Sequence, residues 1–389
     1  MNHVDAKASR LTRVYLHLDR LTRNLGLLQQ LVGERAVWPV IKADAYGHGA
    51  AIVARHLVHH GYHRLCVADL EEAATLIDAG ITAKILVLSA TLPSHSEGLV
   101  AYDCEPVVCT TDMVDALAHA ADRTGRRIAV HLKIDTGMGR VGVRSDEVPT
   151  FLDRCRTLPG LRVRGLMSHF PRADEADKRY SLEQLTRFQR VVAATKESGV
   201  EVHHIANSAA VFDLPESHCD AVRPGIALYG LRPSATIANP RVTALEPVLE
   251  WKTQITFLKE VPTATGLSYG HTFRTQRPSL IATVPVGYAD GLNRRLSNRL
   301  DLLIRGTRCP QVGRITMDMS LVDVTALRGR VELGDEVVII GRQGAEELTA
   351  DEMAAKLDTI SYEVVSAISH RVPRVAMGAS QARAQDLAE

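Results

Sequence analysis

The stretch Val37-Trp38-Pro39-Val40-Ile41-Lys42-Ala43-Asp44-Ala45-Tyr46-Gly47-His48-Gly49 decides how the chain is read. A mostly apolar run delivers one lysine, then breaks into a glycine-rich loop carrying a tyrosine and a histidine. A lysine at the end of a buried strand is desolvated, which lowers its pKa and makes the amine a usable nucleophile. A Schiff base with a carbonyl cofactor needs such an amine. Taken alone, the stretch fits equally well a strand end with a snorkelling lysine and a flexible turn. The residues that follow it decide.

Downstream, apolar runs at 64–68, 84–89, 106–109, 128–134, 163–167, 201–205 and 226–229 join 37–42 as strand candidates. Amphipathic, helix-like segments lie among them, at 70–79, 111–123 and 181–197, with another at 18–31 before the first strand. Eight strands alternating with helices predict an α/β fold, a closed parallel (β/α)8 barrel of the TIM type. An open doubly wound sheet would want a GxGxxG turn after its first strand, and none is there. After residue 240 the texture changes to short strand candidates at 248–261, 279–286, 302–304, 311–324 and 331–340. Helix-like segments return only at 350–356 and 361–369. The expected domains are a barrel over 1–240 and a mainly β C-terminal domain over 241–389. The tail after Val375 carries little apolar periodicity and is expected to be loose.

A chain of 389 residues is long enough for two or three domains with their own cores. Lys plus Arg number 46 and Asp plus Glu 45, and a net charge of +1 argues against a nucleic-acid partner or a polybasic membrane role. Asp5, Lys7, Arg10 and Arg13 precede any apolar stretch, unlike a secretory signal. No segment approaches the ~20 apolar residues of a membrane span. The cysteines (Cys66, Cys104, Cys109, Cys155, Cys219, Cys309) lack metal-like spacing, so reduced structural thiols in a cytoplasmic protein are expected.

In such a barrel the chemistry lies in the loops after the C-terminal ends of the strands. Lys42 ends strand one; Lys133, Asp135 and Arg140 follow strand five; Ser168-His169 follows strand six. His204, Asn207 and Ser208 end strand seven, and Arg223-Pro224-Gly225-Ile226 sits at strand eight. Each cluster singly has an ordinary structural explanation; five at the same end of successive strands do not. Ser208, with the N–H groups of Gly225 and Ile226, would form a phosphate seat. A phosphate seat beside a desolvated lysine suggests pyridoxal phosphate, with Arg223 as a candidate partner for its ring nitrogen.

Seven ordered motifs then resemble the alanine racemase family, fold-type III pyridoxal-phosphate enzymes. They are Lys42-Ala-Asp-Ala-Tyr46-Gly-His-Gly, His131-Leu-Lys133-Ile-Asp-Thr-Gly-Met-Gly-Arg140, Ala206-Asn-Ser208-Ala-Ala, Arg223-Pro-Gly-Ile-Ala-Leu-Tyr-Gly, Ser268-Tyr269-Gly270, Gly287-Tyr-Ala-Asp-Gly291 and Met317-Asp318. The resemblance covers nearly the whole chain. It implies a cytoplasmic, homodimeric enzyme that interconverts L- and D-alanine with pyridoxal 5′-phosphate, supplying D-alanine for peptidoglycan. Lys42 would carry the cofactor and exchange the α-proton on one face, and Tyr269 of the partner subunit would serve the other. His169 and Arg223 would support Tyr269, and Arg223 would also meet the ring nitrogen. Tyr46, His204, Ser208, Gly225, Ile226 and the residue at position 370 would hold the cofactor. Arg140 and the Met317 N–H would take the substrate carboxylate, and Lys133 matches a position carbamylated in many members.

One position departs from the family pattern. In Ile368-Ser-His370-Arg-Val-Pro-Arg the family usually has tyrosine where His370 stands, so weaker phosphate anchoring and acceptance of serine beside alanine are expected as an alternative. The basic amino-acid decarboxylases share barrel, lysine and cofactor, but carry a Cys-Asp motif in the C-terminal domain; none is there, and the one Cys-Asp pair of this chain, Cys219-Asp220, lies before strand eight. A carrier built on the barrel alone leaves the last 150 or so residues with Tyr269 unexplained.

Overall fold

The computed structural model describes residues 10–377, so the N-terminus through Asp5 and Lys7 and the tail beyond Met377 lie outside the described residues. The chain divides into two compact units, one of 20–45 and 50–246, the other of 1–19, 46–49 and 247–389.

The first unit is the expected barrel. Its strands are β1 (Ala36–Val37), β2 (Arg64–Val67), β3 (Lys84–Val87), β4 (Glu105–Val108), β5 (Ile128–Asp135), β6 (Leu161–Met167), β7 (Val202–His204) and β8 (Ala221–Val222). Strands β2 to β7 pair in parallel as one sheet, and β8 pairs in parallel with β1. The two pieces join on both sides. Val40 bridges to Cys66 beside β2, while Asp220 N–H donates to His203 O and Arg223 N–H to Ala206 O beside β7. Helices Leu70–Asp78, Thr111–Thr124 and Arg179–Ala194 start or end within two or three residues of the sequence expectation. Thr110 caps Thr111–Thr124 by accepting Met113 N–H, and Gly125 closes it at φ +63°.

Two strands differ from expectation. The run 37–42 is ladder only at Ala36–Val37 and Val40, because Pro39 has no N–H and interrupts the pairing. The run 226–229 is not strand eight but a 3-10 turn, Ile226–Tyr229, directly after β8. It is apolar because it is buried there, with the Tyr229 hydroxyl donating to Val40 O at 2.9 Å.

The second unit is mainly β. Its largest sheet runs Thr307–Pro310, Asp301–Ile304, Glu336–Gln343, Leu249–Gln254, Arg13–His17 and Arg374–Met377, with Glu346–Leu348 on Glu336–Gln343. A three-stranded antiparallel sheet joins Phe257–Val261, Ser279–Val284 and Ser320–Asp323. Arg13–His17 pairs on both sides inside the larger sheet, so this strand belongs to the C-terminal unit, whereas the expected barrel domain ran over 1–240. Ala376 and Met377, expected to be loose, pair in parallel with Leu16 and His17. Among the described residues no helix is long and apolar enough to cross a membrane, and all six cysteines are free.

Candidate active site

Lys42 begins a turn in which Ala43, Asp44, Ala45 and Tyr46 all have φ between +51° and +55°. Four consecutive non-glycine residues in the left-handed region cost about 1–2 kcal/mol each, so side chains must hold them. Ala45 N–H donates to Ile41 O at 2.8 Å, Glu72 accepts Ala43 N–H at 2.5 Å and Ala68 N–H at 2.7 Å, and Asp44 accepts Ala50 N–H at 2.6 Å. The turn swings the chain away directly after Lys42 and leaves that side chain at the C-terminal end of the barrel. Burial, helped by the charge of Arg140, lowers the Lys42 pKa.

Three further cations and a histidine share this end of the barrel. On β5 the period of two places His131 and Lys133 on one face, opposite Leu132 and Ile134. Lys133 is buried, and burial with the charges of Arg223 and Arg140 pushes its pKa well down. His169, after β6, is held neutral by burial and by the charges of Lys133, Arg223, Arg140 and Lys42. These sequence-expected residues therefore converge on one another. Arg140 is exposed at the rim, beyond a turn in which Asp135 accepts the N–H groups of Gly137 and Gly139.

Arg223 is buried and held from behind. Its Nη2 donates to Ser168 O at 2.7 Å and Ile205 O at 3.3 Å, and its Nη1 meets His204 Nδ1 at 2.5 Å. Among the described residues no acceptor takes its Nε–H or its second Nη1–H. Burial lowers its pKa to about 10, so it stays charged at neutral pH. The neighbouring phosphate seat differs from expectation in one bond. Gly225 N–H does not point outward but donates to Ser208 Oγ at 2.9 Å, and Ala227 N–H does so at 3.3 Å. A hydroxyl accepting two N–H groups still has its own proton to give. The Ser208 hydroxyl and Ile226 N–H remain available to an anion beside the start of helix Ser208–Asp213, where Asn207 Oδ1 already accepts Ala210 N–H.

The second unit carries the other expected residues. Tyr269 lies in a tight turn between Gly266–Leu267 and Phe273–Arg274, with Ser268 at φ +57° and His271 at φ +43°. Its side chain is 71 % exposed. Tyr46 packs its ring against Tyr362 at 6.2 Å between centroids, and Arg374 Nε donates to Gly47 O. His370 is exposed.

The loop of Met317 is built by the Gly287–Gly291 motif. Tyr288 N–H donates to Thr316 O and Ala289 N–H to Met317 O, both at 3.0 Å. In a trans peptide the N–H points opposite its C=O. The N–H groups of Met317 and Asp318 are thus turned away from that motif, side by side, as donors suited to a carboxylate. Gly287 must be glycine, since a Cβ there would lie 2.3 Å from the carbonyl oxygens of Thr316 and Met317. Asp290 accepts Gly287 N–H at 2.9 Å and pairs with Arg10 and Arg371, while Arg371 also binds Asp318 at 2.5 Å.

The donor set fits pyridoxal 5′-phosphate: an amine kept deprotonatable by burial, a buried guanidinium with uncommitted N–H groups, and a hydroxyl with its proton free at a helix start. Sequence reading missed Glu72 and Asp44, which hold the turn, and Trp38, whose ring lies edge-on to His204 at 4.8 Å. It also missed Glu105 and His131 behind Arg223; only the polar break in a buried strand could have marked His131.

Comparison with known proteins agrees with this geometry. Residues 16–233 match the family described as alanine racemase, N-terminal domain, and residues 248–376 match alanine racemase, C-terminal domain. Alanine racemase 2 of Caldanaerobacter subterraneus subsp. tengcongensis is 45 % identical over 94 % of either chain. The alanine racemase of Halothermothrix orenii is 44 % identical over 95 % of this chain and 98 % of that protein. Among solved structures, alanine racemase of Clostridium difficile 630 superposes with a TM-score of 0.90 at 35 % identity, covering 95 % of this chain and 96 % of that one. That of Bacillus anthracis with bound L-Ala-P gives 0.89 at 37 % identity over 96 % of each. Both units are covered by these matches, and the chain belongs to the alanine racemase family.

Proposed function

We propose that the chain interconverts L-alanine and D-alanine with pyridoxal 5′-phosphate, as a cytoplasmic homodimer that supplies D-alanine for peptidoglycan. The observation that carries the reading is Lys42: a barrel-end amine whose proton is loosened by burial and Arg140, in a neighbourhood it shares with the buried guanidinium of Arg223. When bound, pyridoxal phosphate draws electrons from the substrate α-carbon and makes its proton removable.

Lys42 would hold the cofactor and move a proton at the α-carbon on one face. Tyr269 of a second copy would move the proton on the opposite face, which racemisation requires; its exposure on a strained turn suits delivery to a partner. Arg223 cannot surrender its proton near neutral pH, so it would donate to the ring nitrogen and leave that atom unprotonated. Electron withdrawal weakened in this way would favour return of the proton over transamination. Neutral His169 would couple Arg223 to the Tyr269 phenol. Ser208 and Ile226 N–H would hold the phosphate together with Tyr46 and His370, and Arg140 with Met317 N–H would hold the substrate carboxylate. Lys133, crowded by Arg223 and Arg140, is proposed to be carbamylated, which would turn that repulsion into attraction.

The matched relatives are named for alanine, and the serine-accepting alternative is not favoured. Purified protein loaded with pyridoxal phosphate should convert L-alanine to D-alanine and the reverse to an equal mixture. Release of no D-alanine by loaded protein would overturn the reading.

A further inference from the structure

Behind Arg223 runs a line of buried polar side chains that no step above uses. His204 Nε2 meets His131 Nδ1 at 2.8 Å, and His131 Nε2 meets Glu105 Oε2 at 3.2 Å. Glu105 is also bound by Arg64 and, at 3.3 Å, by Arg164 Nη1. His131, His204, Glu105 and Arg223 are all buried inside the barrel. The space is reserved for them: Gly165 on β6 is paired with His131, and a Cβ on it would lie 2.2 Å from His131 Nδ1. Trp38 walls both rings, edge-on at 4.8 Å from His204 and 5.8 Å from His131, with Arg64 over its face at 5.1 Å.

The two ends fix the proton on every nitrogen between them. A guanidinium only donates, so His204 Nδ1 must accept and Nε2 must carry the hydrogen. His131 Nδ1 must then accept from His204 Nε2, and His131 Nε2–H donates to the Glu105 carboxylate, which only accepts when ionised. We infer that Glu105, through His131 and His204, is a positioning residue for Arg223: its carboxylate selects the Nε2–H tautomer of both imidazoles and so keeps an acceptor facing the guanidinium. Were His131 to carry its hydrogen on Nδ1 instead, His204 would be driven to Nδ1–H, and two donors would meet at Arg223. The guanidinium would lose the anchor on Nη1 and be held through Nη2 alone, by Ser168 O and Ile205 O, which would loosen its hold on the ring nitrogen. Burial and the neighbouring guanidiniums keep both histidines neutral, as the relay needs.

The inference deepens the proposed function and rests on it for the role of Arg223, but its test reads the imidazoles directly. In protein loaded with pyridoxal phosphate and labelled with 15N-histidine, NMR should show His131 and His204 as single neutral Nε2–H tautomers, assigned by His131→Phe and His204→Gln. Glu105→Gln removes the charge but keeps an oxygen where Oε2 accepts from His131, so both tautomers should persist. Glu105→Leu removes the acceptor of His131 Nε2–H and should give mixed tautomers at His131, and through it at His204, with a several-fold rise in pyruvate formed per D-alanine. If that variant does not fold, His131→Phe carries the test. It leaves Glu105 paired with Arg64 and Arg164, yet takes away the acceptor of His204 Nε2–H and should shift the 15N resonance of that nitrogen. The inference is overturned if Glu105→Gln disturbs His204 as much as Glu105→Leu, which would mean charge alone matters, or if His131→Phe leaves the His204 nitrogens unchanged. Failure of wild-type protein to racemise alanine would instead contradict the proposed function and leave the tautomer result standing.

Discussion

A lysine that is to hold a carbonyl and exchange a proton must give up its own proton close to neutral pH. Lys42 and Lys133 both have lowered pKa values, but only Lys42 stands on a turn braced for display, while Lys133 is enclosed beside Arg223. Lys42→Ala should lower racemisation by at least about 10³-fold. Borohydride reduction of the loaded wild type should label Lys42 in a peptide map; a label on another lysine with near-normal turnover would reverse the assignment. Arg223 keeps its charge at neutral pH, with a pKa of about 10. Arg223→Glu offers the ring nitrogen a proton, so racemisation should fall by on the order of 10²-fold while pyruvate per D-alanine rises. An unchanged product ratio would show that Arg223 does not act on the ring.

Among elements, the Gly287–Gly291 motif and the Met317 loop act as one piece. Gly287→Ala forces a Cβ onto two carbonyl oxygens, so it should cost about 2 kcal/mol of stability and raise KM for alanine more than it lowers kcat. Urea unfolding and initial rates measure both. Strand β4 has its own signature in acid. Burial raises the Glu105 pKa, but the His131 hydrogen bond and the guanidiniums of Arg64 and Arg164 outweigh it and hold the carboxyl at about 2. Its folded value lies below the ordinary 4.5, so the stabilisation is complete above that value and is lost as pH falls towards 2, roughly 3 kcal/mol in all. The stability gap between wild type and Glu105→Gln should therefore close between about pH 6 and about pH 2. A gap independent of pH would mean that Glu105 is not ionised in the fold. Strands β2 to β7 were legible because each apolar run ends in turn or polar residues. Strand eight was not: Ala221–Val222 is two residues long, and the apolar run 226–229 after it reads equally as strand or buried turn. The left-handed turn at 43–46 left no trace either, since no glycine marks it and Glu72 holds it from 29 residues away.

For the molecule as a whole, motif order revealed the barrel-end residues, because a parallel barrel brings every strand end to one rim. The Glu105–His131–His204 line escaped, since its members lie 26 and 73 residues apart and sequence spacing carries no record of facing across a barrel. Tyr269 poses the question that only an assembly answers: a proton carrier 71 % exposed in one copy needs a second copy to be enclosed. The most direct measurement is racemisation by a mixed dimer of Lys42→Ala and Tyr269→Ala subunits, co-expressed with different tags and purified through both. If Lys42 of one copy works with Tyr269 of the other, each mixed dimer holds one intact site and one doubly impaired site, and should show about half the wild-type rate per dimer. Mixed dimers as inactive as either parent would contradict a site shared between subunits.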